Sequence, residues 1–135
     1  MPSLPKLSVL GLMLLLHFIA DFVFQSVRDA NLKQKKWWEA ATKDMANKEM
    51  YQYDWIAGMA CHCLFWSLMV CLPFVARPIY LPTAIAQAII HFWIDDRKAN
   101  RFKINLIEDQ LLHLVQIVGI WLSAFYPGVL CDTGL

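Results

Sequence analysis

The sequence predicts an all-α protein, a four-helix transmembrane bundle with both termini on the outer side. Three observations predict it. The chain is 59% apolar and 17% charged, where a soluble domain carries about 25% charged residues, and its mean hydropathy is +0.43. Four apolar stretches fall at about 7–25, 55–76, 79–95 and 111–127, each near the ~20 residues a helix needs to cross the hydrocarbon core. The basic residues collect in the first and third connections. The 135 residues form a single transmembrane domain, 1–135, with cytoplasmic loops 26–54 and 96–110.

The first stretch has only Lys6 in front of it and no small-x-small site before Asp21. It therefore reads as a span rather than a cleaved leader. It ends in "HFIADFVFQ", where His17, Asp21 and Gln25 recur every four residues and so share one face of a helix. Loop 26–54 contains "KQKKWWEAATKDMANKEM", with Trp37, Trp38, Ala41 and Met45 at roughly helical spacing. A helix on the inner membrane surface and a solvated linker both fit it.

Spans two and three are joined by "LPFVARPIYLP", short enough only for a tight helical hairpin. Pro78 and Pro82 suit a first helical turn, and Pro73 a kink at the end of span two. Gly58, four before His62, admits a closely packed helix.

Arg28, Lys33, Lys35, Lys36, Lys43 and Lys48 lie between spans one and two, and Arg97, Lys98, Arg101 and Lys103 between spans three and four. Only Lys6 and Arg77 fall on the other side. This is a positive-inside distribution and predicts a multi-pass protein of the bacterial inner membrane. The net charge of +1 and the scattered basic residues exclude a nucleic-acid surface. Cys61, Cys63, Cys71 and Cys131 form no C-x-x-C, so zinc-knuckle and thioredoxin-like motifs are absent. Cys61 and Cys63 point about 100° away from His62 on a helix and read as small buried apolar residues.

The four histidines, His17, His62, His91 and His113, fall one to each span. Three have an aspartate four residues away: His17 with Asp21, His91 with Asp95, His113 with Asp109. Spans one and three read His then Asp toward the cytoplasm, and span four, running back, reads Asp then His. Folding the chain to and fro thus puts all three aspartates on the cytoplasmic side, with the histidines about 6 Å deeper. His62 falls near the same layer. Gln87 and Gln116 lie a turn deeper than His91 and His113, and Gln25 and Lys98 lie toward the cytoplasm. Ionisable groups at such depth cost on the order of 2.5–3.5 kcal/mol each, so they should face one another inside the bundle.

Three readings follow. The pairs hold helices together, although such hydrogen bonds contribute only ~0.6 kcal/mol each on average. Alternatively, imidazole and carboxylate bind a divalent metal, zinc, manganese or iron, from facing helices, with the aspartates as ligands or as acceptors orienting the imidazoles. A metal-bound water could then hydrolyse a lipid-linked or phosphorylated substrate, with Asp96, Arg97, Lys98 and Arg101 attracting an anionic head group. Transport ranks third, because a carrier needs polar groups through both halves of the membrane and the outer halves offer only Ser8, Ser67, Thr83 and Ser123.

The blocks "HFIADFVFQ", "MANKEMYQYDWIAGMACH", "HFWIDDRKA" and "EDQLLH" resemble a family of small bacterial and phage integral membrane proteins, a domain of unknown function. Its pattern is H-x-x-x-D-F-x-x-Q, then M-A-x-x-K leading to a His, then H-x-x-x-D-x-x-K and D-Q-x-x-H. The resemblance marks His17, Asp21, Phe22, Gln25, Lys48, His62, His91, Asp95, Lys98, Asp109, Gln110 and His113. Residues 26–44 look like an insertion. A fainter similarity is to His-rich multi-pass proteins described as membrane-bound metal-dependent hydrolases.

The metal ligands expected are therefore His17, Asp21, His62, His91, Asp95, Asp109 and His113. Asp95, Asp109 and Lys98 are the catalytic candidates, and Gln25, Gln87, Gln110 and Gln116 extend the polar cluster. Membrane lipids are the expected partners, with room for a membrane-protein partner on loop 26–54 and for a homo-oligomer. The alternative from another class is a non-enzymatic membrane factor, such as one that blocks a channel or excludes a second phage infection.

Overall fold

A computed structural model describes residues 5–126. Six α-helices are found among them, and no strand: α1 Lys6–Phe18, α2 Val27–Leu32, α3 Lys35–Ala41, α4 Asp54–Cys71, α5 Tyr80–Ala99 and α6 Leu106–Phe125. Three helical stretches are long and apolar enough to cross a membrane, Lys6–Val23, Lys48–Phe74 and Leu106–Phe125. The third apolar stretch forms α5 but falls short of that measure. Gln87, His91 and the run Asp95-Asp96-Arg97-Lys98 dilute it.

The four long helices pack in a ring, α1 against α4 and α6, and α5 against α4 and α6. Val9, Met13, Trp66, Val70, Ala84, Ile117 and Ile120 form the core of one half. At that end Lys6 lies 4.1 Å from the Tyr126 ring, Trp121 Nε1 donates to the Lys6 carbonyl at 2.9 Å, and Arg77 donates to the Ala124 carbonyl at 3.1 Å. The two basic residues outside the main loops thus share one end, among aromatic rings of the kind that favour a membrane interface. At the opposite end the two basic connections meet: Lys35 N donates to Asn100 Oδ1 at 2.8 Å, and Asn100 Nδ2 donates to the Lys33 carbonyl at 3.2 Å.

Several boundaries differ from the sequence expectation. The His17–Asp21–Gln25 stripe is not one regular helix face. After Phe18 the chain widens into a π turn, Ile19–Val23, with Phe24 N bonded to the Ile19 carbonyl at 2.9 Å, and Gln25 lies beyond it. Such turns recur at functional sites. Pro73 does not kink α4. It sits in a 3-10 turn, Leu72–Phe74, after the helix has ended, while Pro82 lies in the first turn of α5.

Helix α5 continues one turn past residue 95, because Asn100 caps it and Arg101 Nε bonds Asp96 Oδ2 at 2.6 Å. Residues 100–105 connect α5 to α6. Helix α6 starts at Leu106 behind Asn105, whose side chain accepts from Ile107 N and Glu108 N while Glu108 accepts from Asn105 N, a capping box. The expectation for Cys131 lies outside the described residues.

Loop 26–54 holds two short helices, α2 and α3. Ser26 starts α2 with a reciprocal cap to Asp29, whose carboxyl those hydrogen bonds hold below its ordinary value. Trp38 Nε1 then donates to the Leu32 carbonyl at 3.0 Å and folds α3 back. Helix α2 lies directly on α4 at Gly58, where a Cβ would stand 2.6 Å from the Leu32 carbonyl oxygen. Gly58→Ala should therefore push α2 off α4 and cost about 1–3 kcal/mol, read as a lowered unfolding midpoint in detergent. A variant as stable as the wild type would mean that α2 is not held there.

Candidate metal centre

The loop-side half of the ring is polar inside. His17, His91, Asp95, Asp109 and His113 are all buried, with Asp21 and His62 nearly so, so the histidine and aspartate tiers expected from the mirrored spacings come together. Asp95 stands at their centre. Its Oδ1 lies 3.4 Å from His113 Nε2 and 3.6 Å from His91 Nε2. Its Oδ2 lies 3.5 Å from His62 Nε2. His113 Nε2 is also 3.4 Å from Asp109 Oδ1, His62 Nε2 is 3.8 Å from Asp21 Oδ1, and the Nε2 atoms of His62 and His91 are 3.4 Å apart.

Each carboxylate is secured from outside by its second oxygen. Lys33 Nζ donates to Asp95 Oδ2 at 2.6 Å and Lys98 Nζ to Asp109 Oδ2 at 2.6 Å. Gln110 Nε2 donates to Asp21 Oδ2 at 3.2 Å and to Asp109 Oδ2 at 3.3 Å. The inner oxygens Asp21 Oδ1 and Asp109 Oδ1 are buried without a hydrogen-bond partner among the described residues. Three sets of side chains offer atoms within 4.8 Å of one another: Asp21, His62 and His91; Asp95, Asp109 and His113; and Cys63, His91 and Asp95. Each set could hold a metal ion.

His17 stands apart. Its Nδ1 accepts from Trp66 Nε1 at 2.9 Å and its Nε2 meets Gln110 Oε1 at 3.2 Å, which uses both ring nitrogens. Gln116 and Gln87 bond each other at 2.8 Å, below the histidines. Gln25, with its amide oxygen turned to the nearest donor, accepts from Lys33 Nζ at 2.8 Å. Lys98 serves Asp109 rather than Asp95, and Arg101 is matched by Asp96, while Arg97 is exposed.

Three participants have no counterpart in the sequence expectation beyond their residue type. Lys33, counted there only as a loop charge, is buried at 8% exposure against Asp95. Trp66 is fully buried, stacks on His91 with centroids 4.1 Å apart and orients His17; its spacing of four from His62 was the available signal. Cys63 faces His91 and Asp95 although it adjoins His62, because Asp95 lies in the groove between α4 and α5 and meets two successive positions of α4. Cys61, by contrast, is exposed rather than buried.

Two cavities reach the cluster. One of ≈ 740 Å³ runs between α2 and α4 past Leu32, Gly58 and Phe65 to His62. Another of ≈ 410 Å³ opens on Asp21, Lys33, Asp95 and Lys98.

Trp66→Phe keeps the ring that stacks on His91 and removes the donor to His17, leaving a buried acceptor unpaired. A loss of about 1–3 kcal/mol is expected by denaturant unfolding in detergent. The same substitution in a His17→Leu background should cost much less. An equal cost in both backgrounds would trace the effect to packing instead.

No curated protein and no solved structure matches the chain. A family match covers residues 9–131, nearly all of the described fold and every side chain of the cluster. The chain belongs to the DUF3307 family, described as a protein of unknown function.

Proposed function

We propose that the chain is a multi-pass protein of the bacterial inner membrane whose His/Asp cluster binds a divalent transition metal and hydrolyses a phosphorylated or lipid-linked substrate. One observation carries the metal reading. The same carboxylates that make 2.6 Å contacts to Lys33 and Lys98 stand 3.4–3.6 Å from the imidazoles. Charge-assisted hydrogen bonds close to about 2.7–2.9 Å. Donors bound tetrahedrally about 2.0–2.1 Å from zinc stand roughly 3.3–3.4 Å apart. The spacing around Asp95 is that of ligands about an ion.

In this reading α1 with its π turn, α4, α5 and α6 form a four-helix transmembrane bundle. The termini are outside, and residues 26–54 and the α5–α6 connection are in the cytoplasm. What supports α5 as a span is the direction of its polar groups. His91, Asp95 and Asp96 are buried, while Ile85, Ile89 and Trp93 are 48%, 58% and 59% exposed, an apolar face suited to lipid. The basic residues concentrated at the loop end support the orientation.

His62, His91, His113, Asp21, Asp95 and Asp109 are the ligands. Gln110, Lys33 and Lys98 hold the carboxylates, and His17 is a positioning residue. The cavity beside Asp95 and Lys33 gives a phosphate ester access to a metal-bound water.

Elemental analysis of the detergent-purified protein tests the metal reading. At least one transition-metal ion per chain is expected in the wild type. The bound metal should fall below the wild-type count in His91→Ala and Asp95→Asn at unchanged helical circular dichroism, and stay at it in His17→Ala. A folded wild type that is metal-free and takes up neither zinc nor manganese would overturn the reading, leaving the cluster as interhelical hydrogen bonding.

A further inference from the structure

The six donor side chains do not form one set. Among the described residues Asp21, His62 and His91 converge, Asp95, Asp109 and His113 converge, and His91 and Asp95 meet across the two groups in one set with Cys63. Two donors bound to one ion at about 2.1 Å are at most about 4.2 Å apart, so a single ion cannot engage all six donors without rearrangement. Each group also has its own orphan: Asp21 Oδ1 in one and Asp109 Oδ1 in the other, both buried with no hydrogen-bond partner. Asp95 reaches both groups, with Oδ2 toward His62 at 3.5 Å and with Oδ1 between His113 at 3.4 Å and His91 at 3.6 Å.

We infer that the centre is binuclear: one divalent cation held by Asp21, His62 and His91, a second by Asp109 and His113, and Asp95 bridging them as a shared carboxylate. This rests on the metal reading above and settles what that reading leaves open, the number of ions. Two adjacent cations sharing a carboxylate are an arrangement that can clamp both the attacking and the leaving oxygen of a phosphate ester. Lys33 fits the scheme as a tethered cation. Its Nζ sits 2.6 Å from the Asp95 oxygen that faces His62, and the ≈ 410 Å³ cavity it lines gives it room to withdraw when an ion takes that oxygen.

The test uses the full chain in detergent, stripped by chelation and reloaded with Mn²⁺, with bound metal counted and the electron paramagnetic resonance spectrum recorded. Two ions per wild-type chain with an exchange-coupled spectrum are expected. Asp21→Asn and Asp109→Asn, checked for helical content, should each retain one ion with the spectrum of an isolated centre. One ion in the wild type, lost in both variants, would overturn the pair and leave the single-metal reading standing. Two ions without coupling in the wild type would overturn the Asp95 bridge, a result that needs no variant to fold. No ion at all would overturn the metal reading itself.

Discussion

The burial of the Asp95 carboxylate is the constraint on which the rest of the structure depends. An ionised carboxylate inside an apolar helical assembly costs several kcal/mol unless compensated, and compensation must come from every side. It does: from His91 on its own helix, His62 on α4, His113 on α6 and Lys33 at the end of α2. The ring order of the long helices brings α4 and α6 to opposite flanks of α5, the arrangement that lets both present a histidine to it. Loop 26–54 supplies the ammonium because α4 and α6 carry no lysine or arginine and the lysine of α1, Lys6, lies at the other end. Gly58 makes that possible by letting the α2 backbone lie against α4.

Trp66 divides the two halves of the molecule. It belongs to the apolar core with Met13, Val70 and Ile117, yet its ring stacks on His91 and its N–H fixes His17. A buried tryptophan needs a hydrogen-bond partner, and here that need sets the His17 tautomer, with Nδ1 as acceptor. His17 in turn passes its second nitrogen to Gln110, which orders Asp21 and Asp109. The donor atoms are thereby held by short side chains on rigid helices, the condition for a preorganised site. The compensating cations come from long, flexible lysines at the periphery.

The His/Asp tiers were legible in the sequence because they need only a local rule, residues four apart share a face, and one global assumption, that successive spans run antiparallel. That the stretches containing α1, α4 and α6 are long and apolar enough to cross a membrane was legible from hydropathy alone. What escaped depended on longer-range contacts. Lys33 carries no periodic signal, and its position follows from Trp38 folding α3 against α2 and from the close approach at Gly58. The run Asp95-Asp96-Arg97-Lys98 looks like the start of a loop, but the Asp96–Arg101 pair and the Asn100 cap keep it helical. The π turn is hidden for a similar reason. The spacing of Asp21 and Gln25 is compatible with a regular helix, and only the contacts on either side of Ile19–Val23 widen it. Cys63 shows where the ±1 rule fails, since a residue set between two helices meets both neighbours of a position.

The polar cluster is also distinguished from structural glue by what it leaves unsatisfied. Helices joined by buried hydrogen bonds gain only where donor and acceptor meet, and an acceptor buried without a donor costs about 1–3 kcal/mol. The Gln87–Gln116 pair makes a 2.8 Å contact between the amides and leaves one acceptor over, Gln116 Oε1. The tier above leaves over Asp21 Oδ1, Asp109 Oδ1, His91 Nδ1 and His113 Nδ1. Its carboxylates are firmly held at their outer oxygens, while Asp21 Oδ1 and Asp109 Oδ1 face histidine nitrogens at distances too long for a strong hydrogen bond. Holding a carboxylate rigidly so that one oxygen points, unpaired, at an imidazole is unfavourable for stability alone. It becomes favourable when a cation occupies the gap between them.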